Sequence, residues 1–257
     1  MKTEVIIYFI LFYFGTIWGS FFYTLALRFT QENISFALLF DRSKCPSCGN
    51  TIRWIFLIPL FGYLLAKRRC EYCDSAIPAI YPIMEVLYGI LALLMAHRFG
   101  ISILAFNHYI ISSIALCVAI VDYRTMKIPS ALVYPLFIVS AYPAIEKFVH
   151  VSAIEAFGGM LLLGVFFFLM LLLFPGSFGG GDITFASALG LASGLQLSVV
   201  LLETALISGA VVGILYGIIS KKGIRIKIPF APFLALGLFV ALLAGREMID
   251  LYHRLVL

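Results

Sequence analysis

Apolar runs of roughly twenty residues recur along the whole chain, separated by short polar loops. An α-helix needs about 20 such residues to cross a hydrocarbon core about 30 Å thick, so the spacing predicts membrane spans. The pattern places helices near residues 5–27, 81–96, 101–121, 131–144, 154–174, 183–193, 197–219 and 228–244, the sixth being the shortest. The expected fold is an all-α polytopic membrane protein with about eight transmembrane helices. Residues 5–27 are too long for a secretory signal and have no small-residue cleavage site before the polar stretch, so they are expected to stay as the first span. Residues 28–80 form the one sizeable polar segment, and 81–257 hold the remaining spans.

Composition points to the same solvent. Sixty-three per cent of the residues are hydrophobic and 12% charged, against about a quarter charged in a soluble domain. Aromatic residues, at 15%, are accounted for by lipid-facing packing and interfacial belts, with no need of a cofactor. The net charge of +5 does not point to nucleic acid, because the basic residues lie between apolar runs and not in one patch with aromatics. With eight crossings, only Lys2, Arg98, Lys147, Arg246 and Arg254 fall on the side of the termini, and the other thirteen of the eighteen Lys and Arg lie opposite. The positive-inside rule makes that crowded side cytoplasmic. A re-entrant sixth segment would move the C-terminus inside.

The segment 28–80 carries four of the five cysteines and is too small to fold well unaided. Cys45-Pro-Ser-Cys48 and Cys70-Glu-Tyr-Cys73 are two C-x-x-C pairs with twenty-one residues between them, close to the spacing of a zinc ribbon. Two tight turns can present four thiolates to one zinc ion, a closed structural site with no open position for chemistry. Disulfides are the competing reading, and a cytoplasmic placement argues against them. Cys117, inside an apolar run, reads as a small buried hydrophobe. No internal repeat or low-complexity tract is evident.

An ionisable group within a span is costly and is a functional candidate by default. Glu85, Asp122 and Asp182 fall near the cytoplasmic ends of their helices, and Glu155 and Glu203 toward the outer side. Asp122 ends one span and opens a loop that restarts at Pro129; an ion pair with Arg124 or Lys127 is an equally open role for it. Asp182 follows Gly179, Gly180 and Gly181, and glycines permit positive φ and close backbone approach, giving room for a peptide. Two carboxylates from different helices at one depth are the parts of an aspartyl protease. One takes up a proton while the other stays charged, and the charged one activates water against the scissile carbonyl. The titration belongs to the pair, so neither has a separate role from sequence.

These motifs, in their order, resemble the type IV prepilin peptidases, also called prepilin leader peptidase and N-methyltransferases. The resemblance spans nearly the whole chain: Gly19-Ser20-Phe21 with Arg28, the two C-x-x-C pairs, Ile58-Pro59, Tyr81-Pro82 with Glu85, Asp122, Ile128-Pro129, Gly179-Gly-Gly-Asp182 and Ile228-Pro-Phe-Ala-Pro-Phe233. It implies that Asp122 and Asp182 are catalytic. It also implies removal of a short basic leader from prepilins or pseudopilins at the cytoplasmic face of a bacterial inner membrane, with pilus or type II secretion partners. Methylation of the new N-terminal residue from S-adenosylmethionine rests on the resemblance alone, since no glycine fingerprint marks a donor site. By the same resemblance Glu85 serves methyl transfer or pilin recognition, the alternative being a helix-capping acid. Two departures are present: Thr184 stands where the family generally has lysine, and Tyr23 where it commonly has asparagine. The first is not expected to abolish cleavage, because presenilin-type proteases share the glycine-aspartate motif without that lysine. The rival readings are an ion-coupled transporter, which predicts inverted repeats and acids at the bilayer midplane, and an inactive paralogue acting as an assembly factor.

Overall fold

The computed structural model describes residues 2–31, 41–142, 152–174, 176, 178–220 and 227–256. Of the charges used above to orient the chain, Lys147, Lys221, Lys222 and Arg225 lie outside these residues. The described residues form helices α1 (Lys2–Phe29), α2 (Phe61–Leu65), α3 (Ile80–Phe99), α4 (Ile103–Thr125), α5 (Ser130–Ser140), α6 (Ala153–Leu173), α7 (Gly180–Ser220) and α8 (Ala231–Val256). Six of them are long and apolar enough to cross a membrane, namely α1, α3, α4, α6, α7 and α8. The protein is thus an all-helical, multi-pass membrane protein. Its chain divides into two compact units, Met1–Gly100 and Ile101–Leu257.

In the first unit α1 and α3 form an antiparallel hairpin. An added Cβ on Gly15 would meet Gly89, and one on Gly19 would meet Tyr88 and Glu85. Phe22 stacks on Tyr88 at 5.9 Å and Tyr23 meets Tyr81 edge-on at 5.1 Å. Small residues facing each other are how helices approach in lipid, where no hydrophobic effect draws them together. The loop joining the two helices carries exposed Trp54, Phe61, Leu64 and Leu65, and Phe61 reaches back along α1 to Tyr13.

In the second unit α4 is the most enclosed of the six long helices. Two sequence expectations change here. Of the fourth expected span, 131–144, the last two residues lie outside the described ones, and the described part forms the 11-residue α5, about half of what a crossing needs. The sixth and seventh runs join as one 41-residue helix, α7, whose continuity is interrupted at Gly194, with φ 74° and ψ 172°. A straight helix of that length would span about 60 Å, yet both ends of α7 meet the start of α8. Phe178, just before α7, packs on Phe230 at 5.2 Å, while Gly213, near its end, faces Ile228. The chain therefore doubles back at Gly194, a left-handed position suited to a residue without Cβ.

The first arm of α7 lies against α6 with almost no gap. A Cβ on Gly190 would fall 2.3 Å from the Gly159 carbonyl oxygen, and one on Gly159 would fall 2.4 Å from that of Gly190. Both obstacles are backbone, so Gly190→Val must push the helices apart. The expected cost is about 3 kcal/mol, seen as a fall in Tm of roughly 10 °C in detergent. Gly213→Val, whose added Cβ meets only the Ile228 Cδ1 at 3.5 Å, is the control. An equal fall in both variants would refute the close approach as the cause.

Candidate active site and candidate metal centre

The loop between α1 and α3 builds the cysteine centre from two copies of one turn. Cys45 N–H donates to the Asn50 carbonyl and Gly49 N–H to that of Cys45, while Cys70 N–H donates to Ser75 and Asp74 N–H to Cys70, all at 2.9 Å. Each turn is closed by an antiparallel bridge, Lys44 to Thr51 and Arg69 to Ala76. The residue after the second cysteine is left-handed in both, Gly49 at φ 73° and Asp74 at φ 57°. This is a short internal repeat, 25 residues apart, that the sequence reading passed over. Its signal was in plain view, since Cys45/Cys70, Cys48/Cys73 and Ile52/Ile77 share one offset.

The four Sγ atoms lie within 4.8 Å of one another, with Cys45 to Cys73 at 3.9 Å and Cys48 to Cys70 at 4.0 Å. These separations are far beyond a disulfide bond. They approach the roughly 3.8 Å between ligands of a tetrahedral zinc at about 2.3 Å from each sulfur. The Cys48 and Ser47 backbone N–H groups turn toward Cys45 and bring its thiol down to about 6, and the Ser75 hydroxyl lowers Cys73. Hydrogen bonds that favour thiolate are what a metal ligand needs, and the cluster could hold a metal ion.

Glu85 lies on α3, buried, with Oε2 accepting the Leu60 N–H at 2.7 Å and the Ser20 hydroxyl also donating to it. Leu60 is a non-glycine residue with φ 64° that opens the short helix α2. The carboxylate thus ties the loop's backbone to the α1–α3 hairpin.

In the second unit, Asp122 is buried near the end of α4, and its Oδ2 accepts the Ala231 N–H at 2.9 Å. The Phe230 amide turns toward the same carboxylate. Asp122 therefore caps the start of α8, where exposed N–H groups and the helix dipole favour an anion. Asp182 is the third residue of α7, and its Oδ2 accepts the Gly179 N–H at 2.8 Å, the reciprocal bond of a capping box. Backbone at a helix start orients both carboxylates.

Four contacts bring these helix starts together. Phe178 meets Phe230 edge-on at 5.2 Å, and Phe167 packs on both at 5.3 and 5.5 Å. Gly181 sits against the loop that follows Asp122, where an added Cβ would lie 2.9 Å from Ile128 Cβ. The glycines act by size rather than by handedness, for none of Gly179, Gly180 and Gly181 has positive φ. Space beside Gly180 is open. Thr184 is exposed, and its hydroxyl donates to the Gly181 and Gly180 carbonyls of its own helix, so the site has no cation at this position. The amides of Phe230 and Ala231 were missed as parts of the site. Their signal is the two prolines around them, Pro229 and Pro232, which mark a helix start.

Two acids at neighbouring helix starts of the second unit, Asp122 buried and Asp182 partly so, together with the four-thiol cluster of the first unit, belong to a multi-pass membrane protein. The chain belongs to the type IV leader peptidase family. The model of that family matches residues 109–218, and that of the bacterial peptidase A24 N-terminal domain matches residues 13–99. A prepilin leader peptidase/N-methyltransferase of Bacillus subtilis is 31% identical over 255 residues, which cover 96% of this chain and 98% of the relative. Proteins of the same name from Legionella pneumophila and Pseudomonas aeruginosa are each 27% identical, covering 86% and 89% of this chain and 79% and 80% of their own. No solved structure matches the chain.

Proposed function

We propose that this chain is an intramembrane aspartyl endopeptidase that removes the leader from prepilins or pseudopilins at the cytoplasmic face of a bacterial inner membrane. In this reading it then methylates the new N-terminal amine from S-adenosylmethionine. What supports the peptidase reading is that the helix starts carrying Asp122 and Asp182 pack against each other in the second unit. With one carboxyl protonated and the other charged, the pair can polarise water and support the oxyanion of the attacked peptide. The opening beside Gly180 leaves room for the extended substrate backbone. Acids at helix ends, rather than at mid-span, favour this reading over an ion-coupled transporter.

The four cysteines hold a structural zinc, and residues 28–80 serve the methyl-transfer half while 81–257 form the peptidase core. The relatives' shared name supports both activities. The test is incubation of the purified protein with a prepilin and S-adenosylmethionine, followed by mass measurement of the product. Cleavage with an added methyl group is expected. An intact prepilin would leave the inactive-paralogue reading standing, and a cleaved but unmethylated product would refute the second activity alone.

A further inference from the structure

The loop of the first unit, polar by composition, contains thirteen consecutive residues without a charge, from Trp54 to Ala66. An apolar run of that length is too short to cross a bilayer and belongs either in a protein core or in a re-entrant or interfacial segment. The core is excluded by exposure. Trp54 is 76% exposed, Leu64 62%, and Phe61 and Leu65 56% each, and apolar surface so concentrated marks an interaction face. The segment folds as one piece, because the turn Trp54–Leu57 packs on α2 at Gly62, where an added Cβ would collide with the Phe56 backbone.

Two contacts fix where it lies. The Leu60 N–H donates to Glu85 on α3 at 2.7 Å, and the Phe61 ring meets that of Tyr13 on α1 at 6.4 Å. Tyr13 precedes Arg28 by fifteen residues, about 22 Å along the helix, and two ring-bearing side chains bridge only part of that distance. The segment therefore folds back alongside a membrane-crossing helix instead of standing off its end. Positive φ at Leu60 (64°) turns the chain into α2, and at Lys67 (51°) and Arg68 (63°) turns it out again, conformations that non-glycine residues keep only where their surroundings hold them. Lys67 and Arg68 are exposed and, among the described residues, in no ion pair, whereas Arg53 and Arg69 are held by Glu71 and Asp74.

We propose that residues 54–66 are a re-entrant anchor inserted into the leaflet on the side of the cysteine loop, with Lys67 and Arg68 on the phosphates of anionic lipids at its rim. The bilayer that surrounds α1 is the one apolar medium already beside this face. Trp and Leu side chains in the leaflet with cations at the exit are the makings of an interfacial element. The anchor holds the cysteine centre at the membrane surface from outside the hairpin, as Glu85 holds it from within.

The chain has two tryptophans, so Trp18→Phe leaves Trp54 as the sole reporter. The full-length variant is reconstituted in phosphatidylcholine vesicles, plain or brominated in the acyl chains, and its fluorescence is read with and without acrylamide in both compartments. Brominated chains are expected to quench most of the emission, and acrylamide little of it. Brominated phosphatidylglycerol is expected to quench more strongly than brominated phosphatidylcholine, equivalent to a local preference of about fivefold or more, which Lys67→Gln with Arg68→Gln should remove. Unchanged unfolding midpoints show that the variants are folded; if Trp18→Phe is not, the difference between wild type and Trp54→Phe reports the same emission. Quenching by acrylamide but not by brominated chains would overturn the anchor, and emission sheltered from both would hand the face to a protein partner and overturn it equally. No lipid preference, or one that survives loss of both cations, would overturn the headgroup contact.

Discussion

Asp122→Asn and Asp182→Asn are each expected to lower prepilin cleavage by on the order of 10³-fold or more, because each removes one half of a group that works as a unit. For the same reason the double variant should be scarcely worse than either single one, a non-additivity that independent binding residues would not show. Asparagine keeps the shape of the side chain, and its amide oxygen can still accept the Ala231 or Gly179 N–H that orients the native carboxylate. The helix starts should therefore hold, and the loss should fall on turnover rather than on thermal stability. Initial rates of leader removal, set beside unfolding midpoints of the same preparations, provide the check. Cleavage within tenfold of wild type in either variant would end the aspartyl assignment, and a matching fall in stability would recast the residues as helix caps.

That second outcome is a real alternative, because both aspartates do cap helices. A structural cap, however, needs only its own helix. Asp122 lies 109 residues before the amide it holds, and Asp182 answers to a different helix, yet the Phe167, Phe178 and Phe230 cluster and the Gly181–Ile128 contact press the two starts together. Capping by itself gives no reason for that convergence, whereas the proposed sharing of one water by the two carboxylates would.

The spans were legible because hydrocarbon forces a coarse rule on sequence: long apolar runs, with charges pushed to the ends. The doubling back at Gly194 was legible as two runs but not as one helix with a single left-handed residue, since no polar loop marks it. The glycines before Asp182 were read for their freedom of φ, whereas the structure uses the missing Cβ of Gly181 against Ile128; a contact 53 residues distant in sequence leaves no local trace. The two C-x-x-C turns carry their chemistry in their spacing, and the four thiols meet as that spacing implies. The partner of Glu85, the Leu60 amide, was out of reach, because a backbone group has no signature in the side-chain sequence.

Removing the metal is expected to unmake the cysteine module. Among the described residues its regular structure amounts to two bridges, a turn of 3-10 helix at Trp54–Leu57 and the five residues of α2, far too little to offset the entropy of ordering the loop. Zinc held by four thiolates supplies an apparent 10 kcal/mol or more to such small modules. Cys48→Ser should accordingly reduce bound zinc from about one per chain to a small fraction, and expose the loop to proteolysis between Arg42 and Arg69. Acid should act in the same direction, because protons compete with the metal for thiolate and the site empties as pH falls. The helices of Ile101–Leu257 have their own packing around α4, so prepilin cleavage should persist within about tenfold while methylation is lost. Metal analysis, limited trypsin digestion and the two activities, measured on one preparation before and after chelation, separate these outcomes. A loop that stays protease-resistant without metal would show that the module is held by its contacts with α1 and α3, and that the four cysteines serve something other than its folding.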